Sequence, residues 1–150
     1  MPPPPPSDSP VWKIFGLVTR LDTVLHRMSG GRFSLITRAP TLVLHHRGRT
    51  SGQARTTPLI YLERGPALVV VASKGGADRH PAWFHNVVAM PETRVELPGG
   101  QKRTVRPRVA SAEEKAELWP ALVERYAAYA EYQSYTDRDI PVVVLDPVDA

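Results

Sequence analysis

Short apolar runs separated by glycine- and proline-containing turns dominate the sequence after residue 40. Runs of this length, rich in β-branched residues, are typical of β-strands. They predict strands over 41–46, 55–63, 67–72, 93–97, 102–109 and 142–145. Helical spacing of apolar residues is found in separate stretches, so strands and helices do not alternate as a parallel sheet with crossover helices requires. The sequence therefore predicts an α+β fold of about six strands with peripheral helices, and argues against a Rossmann fold.

Turn and cap residues divide the second half of the chain. A Pro-Gly-Gly turn at 98–100 predicts a hairpin. Ser111 and Glu114 fit a capping box that opens a helix. Because Pro120 cannot continue a helical hydrogen-bond ladder, we expect two helical pieces to meet there, the second over about residues 121–132.

The N-terminal region differs from the remainder. Six of the 16 prolines fall in residues 1–10, which predicts a disordered or polyproline II tail. Residues 12–28 carry apolar side chains at helical spacing with basic residues between them. Such an amphipathic helix either packs on the core or touches an anionic membrane surface. We expect one domain over 11–150, preceded by the tail.

Composition excludes several classes of protein. The chain has no cysteine, which rules out disulfides, iron–sulfur clusters, thiolate zinc sites and cysteine nucleophiles. No apolar run approaches the roughly 20 residues of a membrane span, and the first 25 residues lack a secretory signal pattern. We therefore expect a cytoplasmic protein. An alternative is a cytoplasmic protein that contacts the inner face of the cell membrane through residues 12–28.

Charge is unevenly distributed along the chain. The net charge is +4, but residues 9–109 carry +11 and residues 110–150 carry −6. A segment this basic is typical of proteins that bind phosphate, polycarboxylate, nucleic acid or an acidic membrane surface, although a solvated basic surface would explain it equally well. Fifteen of the 19 basic residues are arginine, which favours bidentate contacts with such anions.

A glycine-flanked basic loop, residues 48–52, is the first candidate site, together with the residues just after it. Its polar members are Arg49, Thr50, Ser51, Arg55, Thr56 and Thr57. Guanidinium groups, hydroxyls and exposed backbone N–H groups together suit a phosphate or carboxylate. The spacing is not that of a P-loop, and a basic hairpin turn would explain the same residues.

A second candidate follows the buried run 67–72. Ser73 and Lys74 enter a loop that continues with Gly75 and Gly76. Functional groups are frequent at such strand ends, although a plain turn also accounts for the pattern.

A short helix over 81–90 carries the third candidate. Arg79 and His80 precede the helix, which opens with Pro81, Ala82, Trp83, Phe84, His85 and Asn86. Free N–H groups in a first turn, beside flat rings, suit a planar anionic ligand; core packing would explain Trp83 or Phe84. The histidines have no partner at metal-ligand spacing, so we expect no metal, and the Gly-x-Ser-x-Gly motif of hydrolases is absent.

Four of the five tyrosines form the last cluster. Tyr126, Tyr129, Tyr132 and Tyr135 are spaced three residues apart, along one side of a helix and its exit. Tyrosine combines a flat apolar ring with a polar hydroxyl, as a pocket for a planar polar substrate requires. We favour such a pocket over an aromatic core stripe.

Five segments occur in an order that resembles the deazaflavin-dependent nitroreductase family of actinobacteria, also called deazaflavin-dependent quinone reductases. They are GRTSG at 48–52, RTTPL at 55–59, ASKGGA at 72–77, HPAWFHN at 80–86 and YQSYTDRDIP at 132–141. The resemblance covers residues 48–147 and implies an antiparallel split β-barrel that binds coenzyme F420. This coenzyme is a deazaflavin with a phosphate and an oligoglutamate tail.

The resemblance also implies functional residues. The implied cofactor contacts are Arg49, Thr50, Ser51, Arg55, Thr56, Thr57, Pro58, Leu59, Ile60, Val71, Ala72, Ser73, Lys74, Ala82, Trp83, Phe84, His85, Asn86 and Tyr132. The implied substrate contacts are Tyr129, Tyr132 and Tyr135. The implied reaction is hydride transfer from reduced F420 to a quinone or nitroaromatic, with Ser73 and Tyr132 donating hydrogen bonds to the oxygen that gains negative charge.

The sequence departs from the family at three places. Thr50 stands where relatives commonly have lysine, which removes one positive contact to the tail. His45, His46 and Arg47 stand where threonines are common, and Met90 replaces a usual asparagine before Pro91.

Other classes of function stay open at this point. They are a split-barrel protein that binds FMN, and a non-catalytic basic module that binds the cofactor or nucleic acid. Basic residues beside glycine-rich turns favour a small anionic cofactor over nucleic acid. Monomer and homodimer are both compatible with the sequence.

Overall fold

A computed structural model of the protein describes residues 40–148. The predicted tail over 1–10 and the predicted helix over 12–28 lie outside the described residues.

The described chain forms one antiparallel sheet with three helices. The strands are β1 (Thr41–Arg47), β2 (Ala54–Ile60), β3 (Leu62–Arg64), β4 (Ala67–Val71), β5 (Thr93–Glu96), β6 (Lys102–Val109) and β7 (Val142–Pro147). The helices are α1 (Ala82–Val88), α2 (Ala112–Arg125) and α3 (Ala128–Ser134), and Lys74–Gly76 forms a 3-10 turn. The seven strands lie in the order β2-β1-β5-β6-β7-β4-β3, which confirms the predicted α+β antiparallel class.

The connection between β2 and β3 explains why the sheet curls. These strands are the two opposite edges of the sheet, yet Tyr61 alone separates them in the chain. Since two Cα–Cα steps span at most about 7 Å, the edges must approach each other, and β2 also contacts β4. The sheet is therefore a curled half-barrel. The prediction of one strand over 55–63 is wrong, because the chain crosses from edge to edge at Tyr61, which is buried.

Both faces of the sheet are covered. Along β4, Leu68 and Val70 join the core cluster that includes Trp83 and Val87 of α1, whereas Val69 joins the cluster that includes residues of α2 and α3. The strand is buried on both sides, as the uninterrupted apolar run predicts. Fully burying each such side chain stabilises the fold by about 1.5–3 kcal/mol.

The first C-terminal helix begins at the predicted residue, but the break between the two helices does not lie at the predicted position. The Ser111 hydroxyl accepts a hydrogen bond from the Glu114 backbone N–H at 3.1 Å, which confirms the predicted N-cap. The expected break at Pro120 is wrong, because α2 continues through it to Arg125. Leu118 and Leu122 flank the proline and are almost fully buried, so their packing offsets the lost hydrogen bond. The chain leaves the helix only at Tyr126, where the backbone is extended.

Candidate functional site

A cleft of about 470 Å³ opens between the β1–β2 turn and α1. Its lining residues are Gly48, Arg49, Thr50, Ser51 and Arg55 from the turn and β2, with Ala82, His85 and Asn86 from α1. Two of the predicted motifs, some 30 residues apart in the chain, therefore share one cavity. Among the lining residues that the structure describes, two are arginines and none is acidic. This donor set suits an anion.

Internal hydrogen bonds shape the turn at residues 48–52. The Gly52 N–H donates to the Gly48 carbonyl at 2.7 Å, and the Gly48 N–H donates to the Gln53 carbonyl at 2.9 Å. A side chain at position 48 would overlap the Ser51 hydroxyl. Gly52 has a φ of +70°, a value that glycine adopts without strain. The two glycines therefore give the turn a shape that larger residues would change.

A buried polar chain ties this turn to α1. The Arg49 backbone N–H donates to Asn86 Oδ1 at 3.0 Å, and Asn86 Nδ2 lies 3.1 Å from His46 Nδ1. His46 Nε2 lies 2.9 Å from the Thr57 hydroxyl. Both His46 and Asn86 are buried. Asn86 and Thr57 were predicted at the site from the sequence, whereas His46 was not. The available signal for His46 was a polar residue in phase with Leu42 and Leu44 on a buried strand.

The loop after β4 forms a second group. Lys74 has a φ of +45°, which is uncommon for a residue with a side chain. Burial lowers the pKa of the Lys74 ammonium, and Arg138 and Arg79 lower it further, whereas Asp78 opposes the shift. Gly76 lies directly against α3, because a Cβ there would lie 2.5 Å from the Tyr132 carbonyl oxygen. The predicted Ser73–Lys74 motif and Tyr132 are thus neighbours in the fold.

Arg138 holds this loop in place and was missed by sequence analysis. Its guanidinium donates to the carbonyls of Ser73 and Ala77 at 2.7 Å each, and to that of Ala72 at 3.3 Å. It also lies 2.8 Å from His80 Nδ1. The available signal was that Arg138 is the only basic residue after Arg125, within the most acidic part of the sequence.

Aromatic rings connect the two groups. The His80 ring lies 4.9 Å from that of Phe84 and 5.8 Å from that of His85, and His85 lines the cleft. Burial and the nearby Arg138 lower the pKa of His80, so its Nδ1 is an acceptor for the guanidinium. The beginning of α1 therefore lies between the cleft and the Ser73–Lys74 loop.

Tyr126 and Tyr132 pack against the core cluster that contains Tyr129, but of the three Tyr129 alone is buried. The hydroxyls of Tyr126 and Tyr132 lie 3.1 Å apart, and Tyr132 and Tyr135 are half-buried. Burial raises the pKa of Tyr132 and its hydrogen bond to Tyr126 raises it further, so the hydroxyl stays protonated at neutral pH. Tyr129 instead packs in the core, 6.5 Å from the Trp119 ring. A substrate contact by Tyr129 stays a prediction.

Other predicted contact residues also lie in the core. Ile60, Val71, Ala72 and Trp83 have buried side chains, and Leu59 packs against the same cluster as Trp83. Thr56 and Pro58 are half-buried on β2. Cofactor contacts by these residues stay predictions, and the buried ones shape the walls behind the site.

Among residues 40–148, no group of three or more histidine, aspartate or glutamate side chains could hold a metal ion. No helix within the same residues has the length and apolar character to cross a membrane.

The chain is similar to known proteins of one family. Residues 18–147 match the family model for F420H(2)-dependent quinone reductase. An F420H(2)-dependent quinone reductase of Mycobacterium tuberculosis is 42% identical over 132 residues, which cover 84% of this chain and 87% of that protein. These matches support the deazaflavin enzyme over the FMN and nucleic-acid alternatives.

Solved structures of similar fold include a reductase that depends on F420. An F420-H2 dependent reductase has a TM-score of 0.65 and 37% identity, covering 71% of this chain and 94% of that one. A structure described as a domain-swapped dimer has a TM-score of 0.66 and 32% identity, covering 92% of this chain and 100% of that one. The chain therefore belongs to the F420H(2)-dependent quinone reductase family, oxidoreductases that use reduced coenzyme F420.

Proposed function

We propose that this chain reduces a quinone with reduced F420 and binds the anionic part of the coenzyme in the cleft between the β1–β2 turn and α1. The observation that carries this proposal is the cleft itself, where Arg49 and Arg55 meet hydroxyl groups with no carboxylate in the described lining. A phosphate with a polycarboxylate tail needs such a donor set. When bound, the reduced deazaflavin supplies the hydride.

The residues of the cleft divide the binding task. The guanidinium groups of Arg49 and Arg55 are placed to pair with phosphate or carboxylate oxygens, and the hydroxyls of Thr50 and Ser51 are neutral donors beside them. Arg55 is exposed near the start of β2, three residues after the turn, where it can contact an extended anionic tail. Thr50 in place of a lysine leaves this tail contact weaker by one charge.

The second group serves the acceptor end of the reaction. Ser73, Lys74 and Tyr132 are held together by Gly76 and Arg138. The protonated Tyr132 hydroxyl, supported by Tyr126 at 3.1 Å, donates a hydrogen bond to an acceptor oxygen as negative charge develops there. Tyr135 follows at the end of α3 and provides a flat wall for a planar acceptor.

Three finer features belong to the same proposal. A nitroaromatic also presents oxygen atoms on a planar ring, so the same donors serve it as a second class of acceptor. A homodimer is supported by the similar structure described as a domain-swapped dimer. Contact with the inner membrane surface through residues 12–28 would suit a long hydrophobic quinone.

The deciding experiment is steady-state oxidation of reduced F420 by the full chain, against a panel of quinones and nitroaromatics. We expect turnover with quinones and a change in deazaflavin fluorescence on binding. FMN titrated in parallel should bind far more weakly. Tight FMN binding without any response to F420 would overturn the proposal.

Arg55→Gln tests the location of the site. We expect this variant to weaken F420 binding about tenfold or more, because one charge-assisted contact to the cofactor is lost. Arg64→Gln is the matched control, since Arg64 is an exposed arginine at the end of β3 and does not line the cleft. Equal affinities for the two variants would place the anion elsewhere.

Tyr132→Phe tests the acceptor end. Turnover should fall at least about tenfold while the Kd for F420 changes little, because the lost hydroxyl is needed only as charge develops. Tyr126→Phe keeps the Tyr132 hydroxyl and removes only its partner, so its turnover should fall less. The rate of oxidation of bound reduced F420, followed by stopped-flow, is measured for both variants. Unchanged turnover in Tyr132→Phe would remove this residue from the reaction.

A further inference from the structure

A buried histidine lies behind the cleft without lining it. His46 is 5% exposed, and alternation along β1 puts it on the face of Leu42 and Leu44, which α1 covers. Among the described residues, it and Asn86 are buried polar side chains that contact each other. A buried polar pair in an apolar layer is costly unless every group is matched.

The donors and acceptors in this series of hydrogen bonds can be assigned by starting from the Arg49 backbone N–H. The Arg49 backbone N–H can only donate, so the Asn86 atom facing it is the oxygen. The Asn86 amide nitrogen therefore faces His46 Nδ1, which must accept. A neutral imidazole that accepts at Nδ1 carries its proton on Nε2 and donates it to the Thr57 hydroxyl. The Thr57 hydroxyl hydrogen is then left to donate elsewhere.

The charges around His46 agree with a neutral ring. Burial, Arg55 on the paired strand β2 and the adjacent His45 together lower the pKa of His46 to about 4, and burial has the largest effect. Asn86, which faces it from α1, carries no charge. The imidazole is therefore neutral at physiological pH.

We propose that His46 is a positioning residue for binding of the phosphate-bearing part of the cofactor. As a ring protonated on Nε2, it fixes the orientation of the Asn86 amide, and the Asn86 oxygen fixes the Arg49 end of the turn at residues 48–52 against α1. Without His46 the amide can rotate and present two donors to the Arg49 N–H. The turn then loses the 3.0 Å hydrogen bond that ties it to α1. This inference rests on the proposed function.

Two substitutions separate hydrogen bonding from packing. His46→Leu fills the same buried position with an apolar side chain and removes the hydrogen bonds to Asn86 and Thr57. His46→Gln retains an acceptor and a donor on one planar group, so it can orient Asn86 and reach Thr57 as the imidazole does. His45→Gln is the matched control, because His45 faces the other side of β1, 3.2 Å from Glu96.

The measurement is the Kd, by fluorescence titration, for oxidised F420 and for a phosphate-free deazaflavin riboside. His46→Leu should weaken F420 binding about tenfold and leave the riboside unchanged, because only the turn is displaced. His46→Gln should stay within about threefold of the wild type for both ligands. His45→Gln should match the wild type.

The outcomes distinguish failure of the proposed function from failure of the role of His46. If the wild-type protein binds neither ligand, the proposed function fails. If it binds F420 and His46→Leu binds equally well, or loses both ligands to the same extent, the role of His46 fails alone. Long-range proton–nitrogen NMR of the wild-type imidazole gives a second readout should His46→Leu not fold. A neutral ring protonated on Nε2 supports the proposal, and a protonated ring or the opposite tautomer at neutral pH overturns it.

Discussion

Arg138→Met is expected to lower the free energy of unfolding by about 3 kcal/mol. The guanidinium donates to three backbone carbonyls and contacts His80, and methionine supplies none of these contacts. Hydrogen bonds to a charged group contribute about 1.5–3 kcal/mol each, and a half-buried carbonyl left without a partner adds its own cost. The sum stays near 3 kcal/mol because water reaches part of this site.

The functional consequence follows from what Arg138 holds. Its contacts to Ser73 and Ala77 fix both ends of the loop that presents Lys74. Once they are gone, the loop can move away from α3, so turnover should fall even under conditions in which the variant is folded. Arg138→Lys should be intermediate in stability, because an ammonium group cannot reach four acceptors that surround a planar fork.

Arg125→Met is the control for this experiment. Arg125 donates to the Tyr61 carbonyl at 3.2 Å from the exposed end of α2. Its loss should cost less than about 1 kcal/mol. Urea denaturation compares the variants. A loss for Arg138→Met no larger than that for Arg125→Met would show that the four contacts contribute little.

The sequence pattern predicted the structure correctly where that structure depends on neighbouring residues in one segment. The uninterrupted apolar run at 67–71 is buried on both faces, and the Pro-Gly-Gly turn joins β5 to β6. Ser111 caps α2. The Pro120 prediction was wrong because tertiary packing of neighbouring leucines outweighed a local preference.

Contacts between distant segments were beyond the reach of pattern. His46 and Asn86 are 40 positions apart, and Arg138 is 65 positions from Ser73. Neither residue type nor spacing indicates such pairs. Tyr129 shares its spacing with Tyr132 and both contact the same core cluster, yet Tyr129 is buried and Tyr132 is half-buried. The candidate residues at the cleft were predicted from their own chemistry and from the family resemblance, whereas the contact of His46 with Asn86 came from the structure.

Gly76→Ala is expected to destabilise the protein by about 3 kcal/mol and to reduce turnover. Two effects add. A φ of +80° costs a residue with a side chain about 1–2 kcal/mol. The new methyl group would also lie 2.5 Å from the Tyr132 carbonyl oxygen and 2.9 Å from its Cα. Displacing packed backbone costs a further 1–3 kcal/mol or so. Because α3 must move, the Tyr132 hydroxyl leaves its position beside Tyr126.

Gly75→Ala isolates the first of these effects. Gly75 has a φ of +63°, but nothing lies within 4 Å of a Cβ placed there. We therefore expect a loss of only about 1–2 kcal/mol, with α3 and turnover unaffected. Thermal unfolding and quinone reduction, measured on both variants, separate backbone strain from the clash with Tyr132. If the two variants lose equal stability and retain equal turnover, the close approach of Gly76 to α3 does not position Tyr132, and the acceptor end of the site must be held by Arg138 alone.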